Sequence, residues 1–190
     1  NTKGLDVRMG PHSVSHRGFH HCELVFNNCR VNKRQVLGEV HRGFDVANQW
    51  LGATRLTVAA QSGGRAQRAM QMAAQWAATR KQFGQTIGKF QGTSFKLADM
   101  ATEIEAANLL CLQTAWKTDQ GSATDADYAM AKLFATEMLA RVTDQTVQIF
   151  GGMGLMEEVG VERLWRDARV ERIWDGTSEI HRHIISRDLL

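Results

Sequence analysis

A mainly α-helical fold, an antiparallel four-helix bundle preceded by a short β segment, is what this sequence of 190 residues predicts. Three observations carry that reading. The chain holds one proline, Pro11, so nothing further along forbids long helices. Beyond Gly43, small and apolar residues recur at helical spacing. Glycines divide these stretches, and strand-type alternation is missing from them.

Residues 1–42 read differently. They hold five of the seven histidines together with the proline. Cys22-Glu23-Leu24-Val25-Phe26 and the nearby Val31 suggest short strands joined by turns such as Asn27-Asn28. This is too little sheet to stand alone. Residues 1–42 are therefore expected to be the end of a β domain, and residues 43–190 a helical one. The chain starts at Asn1, mid-pattern and without Met, and is expected to be a piece of something longer.

The first helix is expected over residues 44–80, where Gly63-Gly64 weakens it locally but lets a neighbouring helix come close. Gly84 and Gly88 mark a loop. A second helix follows, with Phe95, Ala98, Ala101, Ile104 and Cys111 on its inward stripe, and Gly121 ends it. Thr124 and Asp127 have the spacing of a capping box for a third helix. That helix turns Ala131, Phe134, Met138 and Val142 inward and stops at Gly151-Gly152. A short segment around residues 160–170 and a last helix from Thr177 complete the set.

Composition excludes several functions. Basic and acidic residues are interleaved and the net charge is +3, which describes a solvated mixed surface rather than a nucleic-acid patch. No apolar stretch reaches the length of a membrane span, and no signal peptide is visible. Cys22, Cys29 and Cys111 form no CxxC pair and fit reduced thiols in a cytosol-like compartment. His20, His21, Cys22 and Cys29 match no zinc spacing, so no metal is expected. A GxSxG elbow, a P-loop and the ExxH pairs of a di-iron bundle are all missing.

Three constellations remain. Gly151-Gly152-Met153-Gly154 follows a helix rather than a strand, so it is a helix C-terminus before it is a dinucleotide fingerprint, although bare backbone also admits a ligand. Arg80, at a helix end before Lys81-Gln82-Phe83-Gly84, either offsets the helix dipole or clamps a pyrophosphate, with Gln91 bonding a nearby group. Trp174-Asp175-Gly176-Thr177-Ser178-Glu179 reads as a turn with Thr177 as N-cap. It reads equally as a carboxylate base desolvated by Trp174 and exposed by the bend at Gly176.

Taken together and in this order, six stretches resemble the acyl-CoA dehydrogenase family. They are Arg42-Gly43-Phe44, residues 51–55, Arg80 to Gly84 with Gln91, Phe95-Lys96-Leu97-Ala98-Asp99-Met100, Gln148-Ile149-Phe150-Gly151-Gly152 and Asp175-Gly176-Thr177-Ser178-Glu179. The resemblance runs from about residue 18 to 190. It implies the C-terminal bundle of a dimeric or tetrameric flavoprotein with the end of its middle β domain. Arg80, Gln91, Gln148, Ile149, Phe150, Gly151 and Gly152 would then contact FAD held by a neighbouring subunit. Thr177 and Glu179 would contact the subunit's own FAD, while Arg55 and Gly176 would meet the acyl-CoA substrate. The position three before Arg55, often acidic in relatives, is Gly52 here.

The catalytic base implied is Asp175, where most relatives carry glutamate. The alternative base position found in some relatives is Thr54, which cannot serve. The resemblance further implies α-proton abstraction with β-hydride transfer to FAD, and an electron acceptor such as electron-transfer flavoprotein. The compartment implied is the cytoplasm in a bacterium, or the mitochondrial matrix or a peroxisome in a eukaryote, with the cytoplasm favoured. A same-fold acyl-CoA oxidase, an enoyl-CoA reductase and a non-catalytic helical interaction domain are the competing readings.

Overall fold

The computed structural model describes residues 2–190, in two compact units, Asn1–Leu51 and Gly52–Leu190. In the first unit, β1 (Leu5–Met9) pairs antiparallel with β2 (Cys22–Phe26), with Val7 opposite Leu24. The strand at residues 22–26 is the expected one. Val31 lies outside any strand, and β1 was not foreseen, although Leu5, Val7 and Met9 alternate with Asp6 and Arg8 as a strand requires. The ladder carries exposed apolar side chains, Val7, Leu24 and Phe26 among them.

The helices begin with α1 (Gly43–Thr79), followed by a small hairpin of β3 (Lys81–Gln82) and β4 (Gln85–Thr86). Phe83 and Gly84 form its turn, both with positive φ, as a two-residue hairpin of the primed type demands. Then come α2 (Gln91–Asp119), α3 (Asp125–Phe150), α4 (Val161–Glu171) and α5 (Ser178–Leu189). The segment around residue 165 is thus a helix in its own right, and the described helices number five. The capping box forms as expected: the Thr124 hydroxyl accepts from the Asp127 N–H at 3.2 Å, and the Asp127 carboxylate accepts from the Thr124 N–H at 2.9 Å.

Alanine dominates the core of the second unit. Ala59, Ala66, Ala69, Ala73 and Ala77 form the buried face of α1. Against it lie Met100, Ile104 and Ala107 of α2, and Ala131, Ala135, Met138, Leu139, Val142 and Ile149 of α3. Such small side chains let helix axes approach closely. At Gly63 the approach is tightest, since a Cβ there would lie 2.4 Å from Asn108 Oδ1 on α2. The neighbour's closeness expected at Gly63-Gly64 is therefore met at Gly63.

Two core expectations need correction. On α2, Phe95, Ala98 and Ala101 are exposed, and the inward stripe is Met100, Ile104, Ala107 and Thr114, flanked by Leu97, Leu110 and Cys111. The helix carries a second apolar row, with Leu109, Leu112 and Trp116 facing outward. Periodicity alone does not choose between two such rows. On α3, Ala131, Met138 and Val142 are inward as expected, but Phe134 is 37% exposed, because it sits on the flank of the row formed by residues 131, 135, 138, 139 and 142.

Candidate functional site

The loop between α4 and α5 carries the proposed base. It closes on itself through the Ser178 N–H, which donates to the Arg172 carbonyl at 3.2 Å. Thr177 caps α5, its hydroxyl accepting from the Ile180 N–H at 3.3 Å. Glu137 on α3 grips both loop ends, accepting from Ser178 Oγ at 2.7 Å and from Arg172 Nη1 at 3.2 Å. Burial would raise the Glu137 carboxyl pKa, but the hydrogen bonds from Ser178 and Arg172 and nearby cationic charge outweigh it and hold it below the usual range. At the loop's start, Glu171 is wholly buried, pairs with Arg65 of α1, and accepts the Trp174 indole N–H at 2.7 Å.

At the apex, Asp175 has φ +50° and Gly176 φ +105°. The left-handed region suits glycine and, among side-chain residues, aspartate and asparagine best. At Gly176 a Cβ would also crowd the His181 ring, 3.0 Å away. The Asp175 side chain is half-buried and makes no hydrogen bond or ion pair among the described residues, leaving its oxygens available.

Three buried basic side chains back this apex. Arg55 of α1 is 7% exposed and directs Nε at the Asp175 carbonyl, 3.5 Å away, with Nη1 3.9 Å from Asp125. Lys132 of α3 is fully buried and donates from Nζ to the Gly176 carbonyl at 2.8 Å. His181 of α5 is fully buried beside Gly176, with both ring nitrogens outside hydrogen-bond geometry. Burial, and then the charges of Lys132 and Arg55, push the His181 pKa down to about 4, with the Gly176 backbone opposing only in part.

That depression fixes a pH dependence. The unfolded chain binds a proton at this histidine near pH 6.5, and the folded one only near 4. Stability contributed by neutral His181 is therefore present above 6.5 and lost as pH falls toward 4, by about 3 kcal/mol. Urea unfolding at pH 7 and pH 4.5 should show a smaller acid loss in His181→Gln than in the wild type. Equal losses would remove His181 as the cause.

The other expected ligand residues lie at the far end of the bundle. Trp76 of α1 stacks on Phe150 of α3 at 4.8 Å, joining those two helix ends, and Arg80 lies 5.9 Å over the Trp76 ring. The Ile87 N–H donates to the Arg80 carbonyl at 2.9 Å, which ties the β3–β4 hairpin and the start of α2 to the same corner. Arg80, Gln91, Gln148, Gly151 and Gly152 are exposed there, and nothing lies within 4 Å of a Cβ built on either glycine. Exposed cation, amides and bare backbone together suit a phosphate-bearing ligand. Ile149 and Phe150 are 8% exposed and pack inward, so backbone is what they offer.

The structure thus brings Arg55, Asp175, Gly176, Thr177 and Glu179 together, and Arg80, Gln91 and residues 148–152 together, but not the two sets. Arg55 and Arg80 stand 25 residues apart on and just beyond one helix, roughly 37 Å at 1.5 Å per residue. Lys132, Glu137, Glu171 and His181 were not foreseen from sequence. The available signal was a lysine on the alanine-rich face of α3, out of pattern for a buried stripe.

Residues 41–190 match the family described as acyl-CoA dehydrogenase, C-terminal domain. The human mitochondrial short-chain specific acyl-CoA dehydrogenase is 40% identical over 189 residues, covering 100% of this chain and 46% of that protein. The caffeyl-CoA reductase-Etf complex subunit CarC of Acetobacterium woodii is 39% identical over 189 residues, covering 100% and 50%. The structure of butyryl-CoA dehydrogenase from Megasphaera elsdenii is similar with a TM-score of 0.95 at 38% identity, covering 100% and 49%. The chain spans about half the length of the curated relatives it matches.

Proposed function

The chain belongs to the acyl-CoA dehydrogenase family, and from that premise we propose that it forms the C-terminal part of an FAD-dependent enzyme that dehydrogenates the α,β bond of an acyl-CoA thioester. On this reading residues 1–42 end the middle β domain and residues 43–190 form the C-terminal one. The observation that carries the proposal is the Asp175 apex, a carboxylate without a hydrogen-bond partner on a loop tied by side chains of α1 and α3.

Homologues in the family bind FAD. When bound, FAD supplies the acceptor for the β-hydride. This chain's residues do the rest. Asp175 takes the α-proton, and its own N–H, which has no acceptor among the described residues, donates to the thioester carbonyl and stabilises charge developing there. Arg55 and Gly176 shape the substrate side. Thr177 and Glu179 hold the flavin of the same subunit. Arg80, Gln91 and residues 148–152 hold that of a neighbour in a homodimer or homotetramer. The distance between the two sets supports the division, since no single dinucleotide spans it.

A second reading, reduction of an enoyl-CoA with the same residues in reverse, is favoured by the caffeyl-CoA reductase relative. That relative's name also supports electron-transfer flavoprotein as redox partner. Anaerobic addition of acyl-CoA to the complete enzyme should bleach its flavin absorbance. Oxygen uptake with acyl-CoA would instead identify an oxidase, and oxidation of the reduced enzyme by an enoyl-CoA but no bleaching by acyl-CoA a reductase. A protein without flavin would leave only the interaction-domain reading.

A further inference from the structure

We propose that Lys132 is a positioning residue for this reaction, clamping the Gly176 carbonyl so that the Asp175 carboxylate and N–H are both presented to the thioester. The inference rests on the function proposed above and adds a residue to it.

The geometry is a two-point clamp. Lys132 Nζ holds the Gly176 carbonyl at 2.8 Å, and Arg55 Nε stands 3.5 Å from the preceding carbonyl of Asp175. Two successive carbonyls are thus drawn toward the bundle. A trans peptide sets its N–H opposite its carbonyl, so the Gly176 and Thr177 amides turn away from the bundle, and with the following peptide pinned the φ of Asp175 fixes the direction of its own N–H. A non-glycine residue at φ +50° persists only where its surroundings over-determine it, and here these two cations act at the apex while Glu137 and Glu171 hold the loop's ends.

The cost of Lys132 argues that it does more than fill space. It is fully buried on α3, where its buried neighbours along the helix, Ala129, Ala131, Ala135, Thr136 and Leu139, are uncharged. It bonds one carbonyl, and no carboxylate lies within ion-pair distance of it among the described residues. An apolar side chain of similar length would pack there without desolvating a charge. What lysine provides instead is a charge-assisted hydrogen bond, stronger than a neutral one, to the residue beside the base.

The groups facing it are Asp175 and Gly176 from the loop, Glu171 from α4, Arg55 from α1, Glu137 from α3 and His181 from α5. Burial lowers its pKa to about 8, with Arg55 adding to the depression and Asp175, Glu171 and Glu137 opposing it. The clamp is therefore charged at neutral pH and discharges as pH rises through about 8.

Lys132→Met and Lys132→Arg in the complete enzyme test this with two independent readouts. Hydrogen exchange at the Trp174 and Ser178 amides, which donate to the Val170 and Arg172 carbonyls across this loop, should quicken about tenfold without substrate in Lys132→Met and less in Lys132→Arg. The limiting rate of flavin reduction by acyl-CoA should fall at least about tenfold in Lys132→Met, with the acyl-CoA dissociation constant within about threefold of wild type. The wild-type rate should decline above about pH 8, and Lys132→Arg, whose guanidinium keeps its charge, should lack that decline. Unchanged exchange in Lys132→Met overturns the clamp. A loosened loop with an undiminished rate overturns its part in the reaction. If no thioester reduces the wild-type flavin, the dehydrogenase reading fails, and exchange alone then decides whether the clamp stands.

Discussion

Asp175→Asn is expected to slow flavin reduction by acyl-CoA by about 10²–10⁴-fold, the range typical of a lost general base, while FAD content stays at the wild-type level. The substitution isolates the carboxylate. Asparagine shares aspartate's tolerance for the left-handed region, so φ +50° at this position remains accessible. The Asp175 backbone carbonyl that faces Arg55 and the Gly176 carbonyl that accepts from Lys132 are unaltered. Because the Asp175 side chain has no hydrogen-bond partner among the described residues, no polar contact is forfeited either. What disappears is the proton acceptor, together with a negative charge that favours the protonated form of Lys132. Stopped-flow bleaching of the flavin under anaerobic conditions measures it. A variant that bleaches at the wild-type rate would show that the α-proton leaves by another route.

Arg65→Met should cost about 3–5 kcal/mol of stability, as expected when one partner of a buried ion pair is removed. The asymmetry of the pair sets the direction. Arg65 is 30% exposed and Glu171 is 0% exposed, so deleting the arginine strands a carboxylate that water cannot reach. Glu171 keeps the Trp174 indole N–H, which offsets part of the loss. Glu171→Gln leaves a neutral acceptor beside an arginine that can turn to solvent, and should cost about 1–3 kcal/mol. Chemical denaturation of both variants gives the order. A smaller cost for Arg65→Met than for Glu171→Gln would mean that stranding the buried carboxylate is not what destabilises the fold most.

Legibility in the sequence followed the range of the interactions. The Thr124–Asp127 box and the Thr177 cap are local, three residues across, and were readable because backbone N–H groups at a helix start need a nearby acceptor. The helix stop at Gly151 was readable for a similar reason. The inward row of α2 was not, because Phe95, Leu109, Leu112 and Trp116 make a second apolar row that only the packing of α1 and α3 sets aside. In the candidate site, Asp175 and Gly176 stood out as a short motif. Lys132 bonds a residue 44 positions away and Arg65 pairs with one 106 away, and nothing local announces either contact. The assignment of Arg80 and Thr177 to two different flavins came from family resemblance, and their separation at the two ends of the bundle was not read from the sequence.

The alanine face of α1 makes that helix a ruler. Its inward side chains have no rotamers with which to absorb a misfit, so spacing along it is set by backbone rise alone. A point change on its exposed side leaves the graduations where they are. Inserting or deleting one residue between Arg55 and Arg80 would turn everything beyond it by about 100°, carrying the alanines off their partners and Arg80 off its corner. Insertions and deletions in this stretch are thus confined to whole numbers of turns, a far stricter rule than hydrophobicity imposes on the residues themselves.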